Sequence, residues 1–99
     1  MSKNREDFLR EAEELINGPR ADDYGPALLN HERIATIWNV LLRAKLLKQI
    51  TPTEVTAMMI GLKLARLAED MHKDDSWVDI IGYAALGGEI SNDDQSTST

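Results

Sequence analysis

The sequence predicts an all-α protein, a four-helix bundle assembled as a homo-oligomer, on three observations. Apolar residues recur at spacings of three and four along four segments. No segment alternates apolar and polar residues as a half-buried strand does. Thr51-Pro52-Thr53-Glu54 forms a capping box with proline at the first helical position. The oligomer is expected because four short helices leave apolar stripes on both sides of residues 34–47.

The first helix is predicted from about Asn4 to Ile16, with Phe8, Ala12, Leu15 and Ile16 as its stripe and Asn17-Gly18-Pro19 as its stop. Residues 20–30 form a long connection rich in Gly, Pro and Asp, a length that favours a functional loop. The second helix is predicted from an Asn30 cap to about Lys48, with Ile34, Ile37, Trp38, Leu41, Leu42 and Leu46 on a broad apolar face. The third runs from the Thr51 cap to about Met71. The fourth runs from Ser76, with Asp75 as its cap, to about Ile90. Residues 1–90 thus make one domain. The polar residues 91–99 are expected to be a disordered tail. The expected core includes Trp38, Leu41, Val55, Met58, Leu62, Ile80 and Tyr83. Small residues at Ala57, Gly61, Ala65 and Ala68, and at Gly82, Ala84, Ala85, Gly87 and Gly88, predict that the last two helices form a close antiparallel pair.

Composition narrows the chemistry. The 99 residues contain no cysteine, so a disulfide framework or thiolate metal site is excluded. No apolar run approaches the roughly 20 residues of a membrane span, and the charged start carries no signal-peptide pattern. These features predict a cytoplasmic protein without membrane contact. The net charge of −6 argues against duplex nucleic acid as a partner. It leaves room for a small anion held by a local group of cations.

Asp75, Asp79 and Tyr83 share one helical face at successive four-residue steps. On the preceding helix, Met59, Lys63, Arg66 and Asp70 fall within about 60° of one another at 100° per residue. Glu54 lies about 180° from Lys63, so one straight helix cannot bring those two into one site. Carboxylates near cations suit Mg²⁺ or phosphate chemistry. The same pattern arises if Lys63 and Arg66 simply pair with Asp70, or with Asp75 and Asp79 across the helices. His31 is either a decoration of a helix start or a base or ligand. His72 suits the dipole at the end of the third helix. Trp38 reads as core. Tyr24-Gly25 reads as a packed turn or a ligand cap, and Tyr24 or Trp77 could stack on a base.

Four motifs carry a resemblance. They are Arg-x-x-x-Tyr-Gly at Arg20, Tyr24 and Gly25; Asn-x-x-Arg-Ile-x-x-x-Trp at Asn30, Arg33, Ile34 and Trp38; Met-Met-x-x-x-Lys-x-x-Arg at Met58, Met59, Lys63 and Arg66; and Asp-Ser-x-x-Asp-x-x-Gly-Tyr at Asp75, Ser76, Asp79, Gly82 and Tyr83. Over about residues 10 to 90 the chain resembles a family of small, all-helical phage and prophage proteins of unknown function. More distantly, its layout is similar to the all-α NTP pyrophosphatases of the MazG and dUTPase type. That likeness implies dimers or tetramers and acidic helices that hold Mg²⁺ against a nucleotide's phosphates. Asp79 matches the Asp of the Glu-x-x-Asp motif. Its Glu would fall on Ser76, with Asp75 as a substitute, and Glu54 stands for the other acidic helix. Ala57 and Met58 occupy positions where a second carboxylate is expected.

Three functions follow. The chain binds a small phosphate-bearing nucleotide, sequestering a host defence signal; or it is a Mg²⁺-dependent nucleoside triphosphate pyrophosphohydrolase; or it inhibits a host factor through a protein–protein contact. The phosphate-binding set is Lys63, Arg66, Arg20, Tyr24, His31, Trp77 and Tyr83. The Mg²⁺ set is Asp79, Asp75 and Glu54, and no catalytic residue is assigned.

Overall fold

A computed structural model describes residues 3–19 and 27–98, with side chains through residue 93. The described residues form four helices and no strand: α1 (Arg5–Asn17), α2 (Ala27–Leu41), α3 (Pro52–Glu69) and α4 (Asp74–Ser98). α1 starts at a capping box, in which Asn4 Oδ1 accepts from the Asp7 N–H (3.0 Å) and Asp7 Oδ2 accepts from the Asn4 N–H (2.9 Å). Gly18 ends it. Ala12 is the buried residue of its stripe, with Phe8, Leu15 and Ile16 half-buried.

α2 differs from the expectation at both ends. Asn30 lies inside the helix rather than capping it, because Ala27, Leu28 and Leu29 already take helical form. The helix closes at Leu41, and a turn over 42–45 follows. The side chain of Asn39 then clasps Ile50: its Nδ2 donates to the Ile50 carbonyl (3.1 Å) and its Oδ1 accepts from the Ile50 N–H (2.6 Å). This clasp brings the chain back at the point where α3 begins.

The start of α3 is as expected. Thr51 Oγ1 accepts from the Glu54 N–H (3.1 Å), Glu54 Oε1 accepts from the Thr51 N–H (3.0 Å), and Pro52 occupies the first turn. α3 ends at Glu69, so His72 lies in the turn beyond it. There its N–H donates to Asp70 Oδ1 (2.9 Å), and it takes no place on the helix dipole. α4 begins two residues before the expected Ser76. Asp74 and Asp75 therefore stand in its first turn, where the unpaired N–H groups favour negative charge. Helix continues to Ser98, where the sequence reading stopped near Ile90 and expected a disordered tail; no Pro or Gly follows Gly88 to interrupt it.

α3 and α4 form an antiparallel pair with the largest helix–helix contact of the fold. α1 lies chiefly against α4, and α2 lies on α3 and, less extensively, on α4. The core is Ala12, Ala35, Val55, Leu67, Val78 and Ile90, with buried His31, Thr56 and Ser76. Of the expected core, Val55 is buried, while Trp38, Ile80 and Tyr83 are half-buried. Leu41 (73% exposed), Met58 and Leu62 (45% each) face outward, a correction to the sequence reading. The reason is that α2 and α3 carry apolar residues nearly all round, so periodicity does not say which side turns inward.

The small residues divide in the same way. Ala57, Gly61, Ala65 and Ala68 are exposed, and nothing lies within 4 Å of where a Cβ on Gly61 would stand. α3 meets α4 through its other side instead. The close approach comes from Gly87, where an added Cβ would lie 2.8 Å from Thr56 Oγ1. A Cβ added at Gly82 would likewise lie 3.2 Å from Ile16 Cγ2 of α1. The amino-terminal end of α1 is tied down by Lys3, whose Nζ lies 2.7 Å from Glu11 Oε2 and 3.7 Å from Asp74 Oδ2. The Glu11 carboxylate, with help from Asp74 and Asp75, holds this ammonium above its ordinary pKa.

Candidate functional site

The antiparallel register of α3 and α4 sets Lys63 beside Asp79, and Nζ reaches Oδ2 at 3.0 Å. Both side chains are largely covered, at 17% and 27% exposure. The cross-helix pairing that the sequence reading held as its structural alternative is therefore present. One turn along α4, Tyr83 meets the ring of His31 from α2 edge to face, with centroids 6.5 Å apart and planes at 86°. His31 is buried at 3% exposure. Its Nδ1 lies 2.8 Å from the Ala27 carbonyl. A carbonyl only accepts, so Nδ1 carries the proton and a neutral ring presents Nε2 as an acceptor. The Lys63–Asp79 pair and the His31–Tyr83 pair thus lie one helical turn apart along α4. Arg66 lies one helical turn from Lys63, exposed and without an ion pair among the described residues.

The remaining candidates fall elsewhere. Glu54 is nine residues from Lys63 along α3, roughly 13 Å at 1.5 Å per residue, and its carboxylate is engaged in the Thr51 cap. Asp75 is exposed in the first turn of α4. Among the described residues no three acidic or His side chains converge as a metal site, so Asp79, Asp75 and Glu54 do not form the set that the sequence grouped. Arg20 and Tyr24 lie outside the described residues.

Trp77 sits about 160° around α4 from Asp79. Its Nε1 donates to the Met71 carbonyl (2.9 Å), closing the turn between α3 and α4. With Arg5, Phe8, Leu9 and Ile81 it lines an open, mostly apolar groove of about 430 Å³ between α1 and α4. This groove is on the far side of α4 from the Lys63–Asp79 pair. Stacking on Trp77 and phosphate contact at Lys63 therefore belong to two places. The sequence reading missed Asn39 and Arg5. A lone Asn within the apolar run 34–42 was the available signal for the first. Nothing in the sequence pairs Arg5 with Trp77.

The family of the chain follows from comparison with known proteins. Residues 7–91 match DUF6378, a domain of unknown function. The chain belongs to the DUF6378 family. It is similar to the gene 55 protein of Mycobacterium phage L5, at 51% identity over 79 residues, which is 80% of this chain and 49% of that protein. It is also similar to the gene 55 protein of Mycobacterium phage D29, at 35% identity over 79 residues, 80% of this chain and 50% of that protein. The chain spans about half the length of these curated relatives. No solved structure matches it. The resemblance to small phage proteins is thereby established for this DUF6378 protein, whereas nothing in the comparisons links it to the NTP pyrophosphatases. Among the described residues no helix is long and apolar enough to cross a membrane.

Proposed function

We propose that this DUF6378 protein captures a small phosphate-bearing nucleotide at the junction of α2, α3 and α4, acting in the host cytoplasm to sequester a defence signal. The observation that supports this reading most is the Lys63–Asp79 pair, with the His31–Tyr83 ring contact one turn further along α4. Asp79 orients the Lys63 ammonium. Arg66, a turn away, adds a cation that the pair does not neutralise, so a phosphate is attracted on balance. The half-buried Tyr83 ring offers an apolar face to the base, and the buried His31 ring holds it edge to face.

Capture is favoured over Mg²⁺-dependent pyrophosphate hydrolysis by the position of Glu54. Mg²⁺ demands several oxygen ligands at about 2.1 Å, and Glu54 is far along α3 in a cap. In the hydrolytic reading Asp79 and Asp75 would supply the protein ligands, and Lys63 would have to release Asp79. The third reading, inhibition of a host protein, is favoured by one observation, the exposure of Ile37, Val40 and Leu41 on α2.

A thermal-shift panel of mono-, tri- and cyclic nucleotides, with and without Mg²⁺, tests the proposal. A ligand at about 100 Kd should raise stability by about 2.7 kcal/mol. Bound nucleotide recovered intact after denaturation supports capture. Pyrophosphate release that Asp79→Asn abolishes would replace capture with hydrolysis. No binding and no turnover would remove both and leave the host-protein reading.

A further inference from the structure

The groove between α1 and α4 is lined by two aromatic rings, and each is held by a contact of its own. The Trp77 indole is tethered through Nε1 to the Met71 carbonyl at 2.9 Å. The Phe8 ring lies under the Lys3 ammonium, 5.2 Å from its centroid. Trp77 nevertheless stays 42% exposed and Leu9 57% exposed, so the groove is open to a ligand. Its volume of about 430 Å³ and its apolar lining of Phe8, Leu9, Trp77 and Ile81 fit a small-molecule site. A ring already held in place loses little freedom when another ring stacks on it.

The charge at the edge of the groove selects the ligand. Arg5 is the charged residue of the lining, and among the described residues its guanidinium makes no ion pair or hydrogen bond. The carboxylates around it are taken or turned away. Asp7 serves the Asn4 cap and Arg10, and Glu11 and Asp74 hold Lys3. Glu6 lies about 100° around α1 from Arg5, and Asp75 lies about 160° around α4 from Trp77. The unmatched charge on this groove is therefore positive. A guanidinium fork suits a single carboxylate or sulfonate. The apolar lining gives no further polar partner, which disfavours a nucleotide with its sugar and several charges. We infer that the α1–α4 groove of this DUF6378 protein binds a planar aromatic molecule carrying one anionic group. The rings stack on Trp77 between Leu9 and Ile81, and the anionic group pairs with Arg5. This site is separate from the Lys63–Asp79 pair on the other side of α4.

Fluorescence titration of the full chain with two probes tests the inference. Anilinonaphthalene sulfonate carries the rings and the anion, and N-phenylnaphthylamine carries the same rings without it. Both should bind the wild-type chain, the sulfonate more tightly. Arg5→Gln should raise the Kd of the sulfonate about threefold or more, as loss of an exposed ion pair does, and leave that of the neutral probe unchanged. Leu9→Glu, at a largely exposed position, should abolish binding of both with an unchanged far-UV circular dichroism spectrum. Leu62→Lys, on the outer face of α3, should change neither. A wild type that binds neither probe, or sulfonate binding indifferent to Arg5→Gln or to Leu9→Glu, overturns the inference. Loss of binding in Leu62→Lys overturns it too, by placing the probe on α3.

Discussion

The two sides of α3 are built from similar residues and do different work. The side toward α4 carries Thr56, Ile60, Lys63 and Leu67, and there Gly87 lets the helices approach and Asp79 answers the lysine. The opposite side carries Ala57, Met58, Gly61, Leu62 and Ala65, and it stays open. By hydrophobicity alone the outer side is the more core-like. What marks the other side as inward is its fit to α4: Lys63 finds Asp79 there, and Thr56, its hydroxyl satisfied within α3 by the Thr53 carbonyl (2.6 Å), packs against Gly87. Placed outside, Met58 and Leu62 lose burial free energy within one chain and remain available to another surface.

Paired substitutions sharpen this contrast. The largest difference should separate Leu67 from Leu62. Leu67→Ala removes a fully buried side chain and should cost about 2–5 kcal/mol. Leu62→Ala, measured by chemical denaturation at concentrations low enough to dissociate any oligomer, should cost under about 1 kcal/mol. Equal costs would mean that α3 is seated the other way round.

The glycines of α4 offer a second, smaller contrast, one with a change of sign. An alanine at Gly87 would press on Thr56, whose hydroxyl is held by the Thr53 carbonyl and cannot swing aside freely. Overpacking of about 1–3 kcal/mol then outweighs the roughly 1 kcal/mol gained in helix propensity, so Gly87→Ala should destabilise. Gly88 has nothing within 4 Å of its Cβ position, and Gly88→Ala should stabilise by up to about 1 kcal/mol. Thermal melts of the two variants check the signs.

The smallest expected effect concerns Lys3. Its pKa is raised in the folded chain, mainly by Glu11. A raised folded value means that its contribution is full below the ordinary 10.5 and fades as pH rises through the higher folded value. Lys3→Met should therefore melt slightly below wild type at neutral pH and coincide with it in strong alkali. A gap that persists there would locate the effect in packing against Phe8 rather than in charge.

The same contrast explains how much could be read in the sequence. The presence and type of all four helices were legible. The Thr51 cap was legible residue by residue, because a capping box is a local pattern that needs no tertiary context. The bounds of α2 were not. Asn30 looks like a cap, but the helix formers before it extend the turn, and only the distant clasp of Asn39 on Ile50 shows where the chain reverses. The inward side of α3 was equally hidden, since apolar residues surround the helix and the deciding partners lie on α4. At the junction, the pairing of Lys63 with Asp79 was readable as an alternative from wheel positions. The contact between His31 and Tyr83 was not, because it depends on how α2 lies across the pair. The separation of Trp77 from Asp79, by contrast, was readable from their wheel positions on one helix.

The most direct measurement is nucleotide binding and unfolding free energy determined together for wild type and Lys63→Ala. If the junction holds a phosphate, the substitution should weaken binding by about 1.5–3 kcal/mol, the scale of a charge-assisted hydrogen bond. It should leave the chain folded and cost less than the roughly 3–5 kcal/mol of breaking a fully buried pair, since Lys63 and Asp79 keep 17% and 27% exposure. Loss of stability in Lys63→Ala, with no nucleotide bound by either protein, would make Lys63–Asp79 a structural clip and contradict the account.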